Sequence, residues 1–182
     1  MKDLSEEKLM TMVRNGNLDS LGPLYEKYKS PLYNFFYRMT FDEDISKDLT
    51  QSVFYRIIKY RNSFQKEHKF KSWIYQLARN IRIDYYKKNK IRIDEYKKPE
   101  ELNDSQAGNY EEIEKKERYE QLYEALSKLN PDQREILEMS RFQGMRYEEI
   151  ALITGNSAGS LKVKAHRAMN KLREIYFDKE IN

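Results

Sequence analysis

The chain has 182 residues, of which 39% are apolar and 13% aromatic, enough for one ordinary domain or two small ones with a real core. It holds no cysteine, which excludes disulfides, thiolate nucleophiles and cysteine zinc sites and suits a reducing cytosol. The opening MKDLSEEKLM lacks an apolar signal core and no run approaches a membrane span, so a cytoplasmic protein without membrane insertion is expected.

The formal net charge is only +4, but its distribution is uneven. Residues 1–55 hold seven Lys/Arg against nine Asp/Glu, residues 56–92 twelve against two, and residues 93–117 four against nine. Residues 155–173 then carry five positive charges and no negative one. Two basic patches separated by an acidic strip suit two contacts with one polyanion.

Apolar residues recur at helical spacing and no sustained alternating pattern appears, so the expected fold class is all-α. A first helix is expected over about Ser5 to Asn15, stopping at Gly16. A second starts near Asp19 or Ser20, with a kink or break expected at Pro31. A third spans about Asp42 to Tyr60, with Leu49, Val53, Phe54, Ile57, Ile58 and Tyr60 on a broad apolar arc. Its narrow polar face carries Asp48, Gln51, Ser52, Tyr55 and Lys59, to which physics alone assigns no partner.

The polar loop RNSFQKEHKFK leads to a fourth helix from about Ser72 to Asn89. That helix buries Trp73, Ile74, Leu77, Ala78, Ile81 and Tyr85. On its other side Tyr75, Gln76, Arg79, Asn80, Arg82, Tyr86 and Lys87 mix rings, guanidinium groups and amides, with Ile83 among them. Rings stack on unpaired bases while cations hold the phosphates, which is the chemistry of single-strand binding. Arg61, Asn62, Phe64, His68, Lys69 and Lys71 in the loop extend the same surface.

The segment Ile93 to Glu117 is acidic, poor in aliphatic residues and punctuated by Pro99 and Gly108, which reads as a linker. Helix resumes near Glu112 and runs to Leu129; Asn130 can then cap, and Pro131 can open, an element that ends before Gly144. The expected architecture is two small helical domains, residues 1–92 and 112–182, joined by a flexible acidic linker over residues 93–111. Helices over about Tyr147 to Thr154 and Ser157 to Phe177 flank a turn at Gly155, the helix-turn-helix arrangement whose second helix enters the DNA major groove. On that helix Leu161, Ala165, Ala168, Leu172 and Ile175 form one apolar stripe, and Val163 projects almost opposite it. Ser157 can cap the helix, Ser160 can meet a phosphate near its start, and Lys162, Lys164 and Arg167 can reach bases or backbone. His166 and Lys171 lie on the same DNA-facing side, against the plainer reading of a basic but merely solvated helix.

At this point the chain resembles the extracytoplasmic-function sigma factors of bacterial RNA polymerase. DLTQSVFYRI (Asp48 to Ile57) is similar to their region 2.2, and FKSWIYQLARNIRIDYYKKNK (Phe70 to Lys90) to regions 2.3 and 2.4. The stretch from Leu129 to Leu172 is similar to region 4, although Asn156 follows the turn glycine where the family usually has an apolar residue. The resemblance implies that the face with Asp48, Gln51, Ser52 and Tyr55 docks on core RNA polymerase. It also implies that the loop Arg61 to Lys71 and the fourth helix open and read the minus-10 element of promoter DNA, and that the last helix reads the minus-35 element. An anti-sigma protein is a further partner it implies, and neither metal nor cofactor is expected.

The competing reading is an ordinary helix-turn-helix regulator that binds duplex DNA without being a polymerase subunit; the N-terminal half lacks the alternating strands and helices of a receiver domain. A purely protein-binding helical module is the other rival. An enzyme has little support, since the chain shows no GxxxxGK[ST] phosphate loop and no HExxH.

Overall fold

The computed structural model describes residues 4–89 and 110–177, and every regular element among them is helical. The N-terminal module comprises α1 (Glu6–Arg14), α2 (Leu21–Thr40), α3 (Glu43–Lys59) and α4 (Phe70–Lys88). The C-terminal module comprises α5 (Tyr110–Ser127), α6 (Pro131–Leu137), α7 (Tyr147–Thr154) and α8 (Ala158–Phe177). All of the linker expected over residues 93–111 except 110 and 111, which open α5, lies outside the described residues.

Local chemistry explains most boundaries. Ser5 caps α1 through the Lys8 N–H at 3.3 Å, and Asp42 caps α3 through the Ile45 N–H at 2.9 Å. Asn130 and Gln133 form a reciprocal capping box at the start of α6, at 2.9 and 3.3 Å, with Pro131 in the first helical position. Helix α4 begins at Phe70, earlier than its own sequence suggests, because Glu7 of α1 accepts the Phe70 N–H at 3.1 Å.

Two expectations are corrected. Helix α2 runs unbroken through Pro31; the hydrogen bond that proline removes is the one to Lys27, an exposed residue whose carbonyl water can reach. Ile58 and Tyr60, placed on the buried arc of α3, are exposed, because the arc in contact with α2 and α4 is narrower than the apolar one. The two helical modules are packed together, an arrangement the sequence left open: one apolar core runs from Leu9 and Met10 of α1 through Phe35, Phe36 and Ile74 to Leu137, Ile150 and Leu161. Tyr37 of α2 meets Tyr123 of α5 edge to face at 5.4 Å, and Arg134 of α6 donates to the Met39 carbonyl at 3.2 Å while lying over the Phe41 ring at 4.7 Å. Phe41, which ends α2, is held in the left-handed region at φ 52°.

After Leu137 the backbone widens into a π turn over Glu138–Phe142. The Gln143 N–H closes it on the Glu138 carbonyl at 2.9 Å, and the Met145 N–H reaches the Met139 carbonyl at 3.0 Å.

Candidate nucleic-acid interface

In the C-terminal module the turn between α7 and α8 is set by Gly155, whose φ of +74° is costly for any residue with a Cβ and whose N–H returns to the Ala151 carbonyl at 2.9 Å. The chain then re-enters helix under the Ser157 hydroxyl, which accepts from the Ser160 N–H at 3.2 Å. Leu161, Ala165, Ala168 and Leu172 are buried and Ile175 is partly so, as the stripe requires. Opposite them Lys162, Val163, Lys164, His166, Arg167 and Lys171 are all exposed, as are Ser157 and Ser160. Val163 is 50% exposed, an unusual setting for an aliphatic side chain on a helix with a buried stripe available. Lys164 donates to the Asn156 amide oxygen at 3.4 Å and Lys171 reaches Glu174 at 3.2 Å, so among the described residues the cationic ridge is largely uncompensated.

The N-terminal surface is arranged differently. Gln76, Asn80 and Lys87 on α4 are exposed, as are Asn62, His68 and Lys69 before it; Arg61, Lys71, Arg79 and Tyr86 are partly covered. Two expected stacking rings are not on the surface. Phe64 is fully buried, meeting Trp73 at 5.3 Å and Phe70 at 6.1 Å edge to face, because the loop folds back onto its own module. Tyr75 is also fully buried, between Phe35 at 5.6 Å and Gln143, whose amide oxygen accepts the tyrosine O–H. Burial pushes its hydroxyl pKa well above the ordinary range.

Arg82, expected in solvent, is buried as well, donating to Glu135, which also accepts from Arg79 at 3.1 Å. The cause is the C-terminal module: α7 packs against α4, and Glu135 of α6 and Gln143 after the π turn reach this side of it. Lys71 donates to the Gln143 carbonyl, and Lys69 to Glu149 at 2.5 Å. The hydrogen bond from Lys69 holds the Glu149 carboxyl below its usual range against a smaller opposing effect of burial. Glu135 and Gln143 were not foreseen as partners of this face; the one sequence signal for Glu135 is the QREILE run that precedes the basic C-terminal patch, and Gln143 has none.

On α3, Asp48, Gln51 and Tyr55 are exposed and Ser52 is partly so, which leaves that face open beside Tyr25, Ile58 and Tyr60. Among the described residues no cluster of His, Cys, Asp or Glu could hold a metal ion, and no helix is long and apolar enough to cross a membrane.

These surfaces fit a helical protein that meets nucleic acid through two modules, and the family profiles give its class: sigma-70 region 2 matches residues 24–91 and sigma-70 region 4 matches residues 119–172. The ECF RNA polymerase sigma factor EcfG of Rhodopseudomonas palustris (strain TIE-1) is 30% identical over 135 residues, covering 74% of this chain and 72% of that protein. The RNA polymerase sigma factor CarQ of Myxococcus xanthus is 27% identical over 172 residues, covering 94% of this chain and 98% of CarQ. Among solved structures, CnrH in complex with the cytosolic domain of CnrY superposes with a TM-score of 0.70 at 19% identity, covering 93% of this chain and 96% of that one. The sigma factor RpoE of Bartonella quintana, bound to the anti-sigma factor NepR, gives 0.68 at 22% identity, covering 85% and 95%. The chain belongs to the ECF sigma factors, and is thus a promoter-directing initiation factor of RNA polymerase. A match to region 2 in the N-terminal half removes the reading as an ordinary regulator with a sensory domain.

Proposed function

We propose that the chain reads a promoter with two faces of unlike chemistry. The exposed ridge of α8 enters the major groove of the minus-35 duplex: Val163 meets a thymine methyl, Lys164 and Arg167 reach base edges, and Ser157, Ser160, Lys162, His166 and Lys171 hold the backbone. The loop before α4 and the outer side of α4 take the opened minus-10 strand, with Gln76, Asn80 and Tyr86 toward the bases and Arg61, Asn62, Lys69, Lys71, Arg79, Arg82 and Lys87 along the phosphates. Phe64 supports this loop from the core rather than stacking on DNA. Asp48, Gln51, Ser52 and Tyr55 dock on core polymerase, an anti-sigma protein competes for these surfaces, and the chain works in the cytoplasm by binding alone, without a metal, a cofactor or a catalytic residue.

The observation that supports the reading most is α8 itself, an exposed cationic ridge around an exposed valine directly behind a left-handed glycine turn. A randomised minus-35 library selected with core polymerase and each variant tests it. Lys164→Ala or Arg167→Ala should shift the preferred sequence, with discrimination at one base pair falling by about 1–3 kcal/mol, whereas Lys171→Ala should weaken all sequences alike. Identical preferences from the wild type, Lys164→Ala and Arg167→Ala would sink base reading by this helix.

A further inference from the structure

Most polar contacts across the two modules run in one sense, from cations of the N-terminal module to oxygens of the C-terminal one. Arg38 of α2 grips Glu138 through two hydrogen bonds, at 2.5 and 2.9 Å, with the Phe142 ring stacked 4.3 Å from its guanidinium. Glu135 sits between Arg79 and Arg82 with one carboxylate oxygen on each, as a backbone phosphate would. Gln143 takes Lys71 and Tyr75, and Glu149 takes Lys69. Glu138 is 1% exposed, and Glu135 and Arg82 are buried too. Except for Arg38 and the buried Tyr75, every N-terminal group in this set belongs to the face assigned above to the opened DNA strand.

A buried ion pair adds little net stability, because desolvation offsets its Coulomb gain, yet removing one partner is costly. Such a contact fixes one arrangement without making it deep, which suits an interface that must open. We propose that Glu135 is an internal stand-in for DNA phosphate and Glu138 a latch beside it: Glu135 occupies Arg79 and Arg82 of α4, Glu138 holds Arg38 of α2, and the two keep the modules closed in the free chain and mask the single-strand face until the modules part. The ridge of α8 lies outside this interface and stays exposed. The free chain therefore offers its duplex-reading helix while withholding its strand-reading one. The clamp rests on geometry alone; what it masks rests on the reading of α4 given above.

The test uses the full-length chain. Glu135→Gln with Glu138→Gln removes the clamp from one side, and Arg38→Gln from the other, without touching any residue assigned to DNA. Small-angle scattering should show a larger radius of gyration for both variants at unchanged helical content by circular dichroism. Affinity of the free double variant for a fluorescent single-stranded deoxythymidine oligomer should rise about tenfold, as expected when a binding-competent minor state becomes the major one. Affinity for a duplex oligomer should stay within about twofold, since α8 is exposed in both states. If the double variant loses helix, Arg38→Gln decides. Wild-type dimensions in the folded variants would overturn the clamp. Expansion without a gain in single-strand affinity would leave the clamp standing and sink the reading of α4.

Discussion

Glu149 shows how one side chain serves two levels of structure. One carboxylate oxygen accepts the Arg146 N–H at 2.9 Å and so closes the first turn of α7; the other meets Lys69 across the modules at 2.5 Å. Glu149→Gln should keep the cap, since an amide oxygen accepts equally well, and lose only the cross-module charge. With Lys69 mostly exposed, that loss should be under about 1 kcal/mol, whereas Glu149→Ala should cost about 1 kcal/mol or more through the cap; paired urea melts would distinguish them. The depressed carboxyl pKa fixes the sign with pH: the Lys69 contribution is present above the ordinary carboxylate range and disappears as pH falls through the lowered value. A Glu149→Gln chain that loses as much stability as Glu149→Ala would show that the charge, not the cap, matters. At this scale the sequence is informative where a side chain answers to its own helix. Val163 and the cations of α8 lie where a helical wheel puts them, because one stripe buries and everything opposite it stays in water. Tyr75 and Arg82 do not, because α4 is covered from two sides and its second cover comes from residues more than fifty positions later.

At the scale of elements, helix starts are the most legible feature. Ser5, Asp42, Asn130 and Ser157 each cap the helix that a short polar side chain before an apolar run foretells. Asn130→Ala should lower stability by about 1 kcal/mol while leaving the α8 ridge in place, measurable as an earlier thermal transition with unchanged duplex binding. An unchanged transition would mean that Pro131 alone sets the start of α6. The features that escape local reading have distant causes. Helix α4 starts early because Glu7 supplies its cap, and the π turn after Leu137 carries no composition that separates it from an ordinary helix end.

For the whole molecule, two modules of helices were legible from the charge blocks, but their docking was not, since no local pattern reports which module covers which. Arg134 is the residue on which that docking tests best. It is buried, and beside the Met39 carbonyl of the other module it serves Leu129 at 3.0 Å and Ser127 at 3.4 Å within its own, with the Phe41 ring against its guanidinium. Arg134→Ala leaves those buried carbonyls without this donor, and should lower unfolding free energy by about 2–4 kcal/mol. Because it also removes a tie between the modules, a single urea transition should broaden or split. A sharp transition with a loss below about 1 kcal/mol would show that water replaces the guanidinium at little cost.

The π turn at Glu138–Phe142 gives chain length a meaning that composition does not carry. It wraps one residue more than a regular helical turn, and that residue decides which way Phe142 and Gln143 face when they arrive at Arg38, Lys71 and Tyr75. A homologue one residue shorter here would close an ordinary turn and present the following side chains rotated by about 100°. Its DNA-reading helix could be the same letter for letter while the closed form was lost. Gaps in this short stretch, ordinarily dismissed as loop variation when relatives are aligned, would then sort self-masking chains from those that depend on another protein to keep them silent.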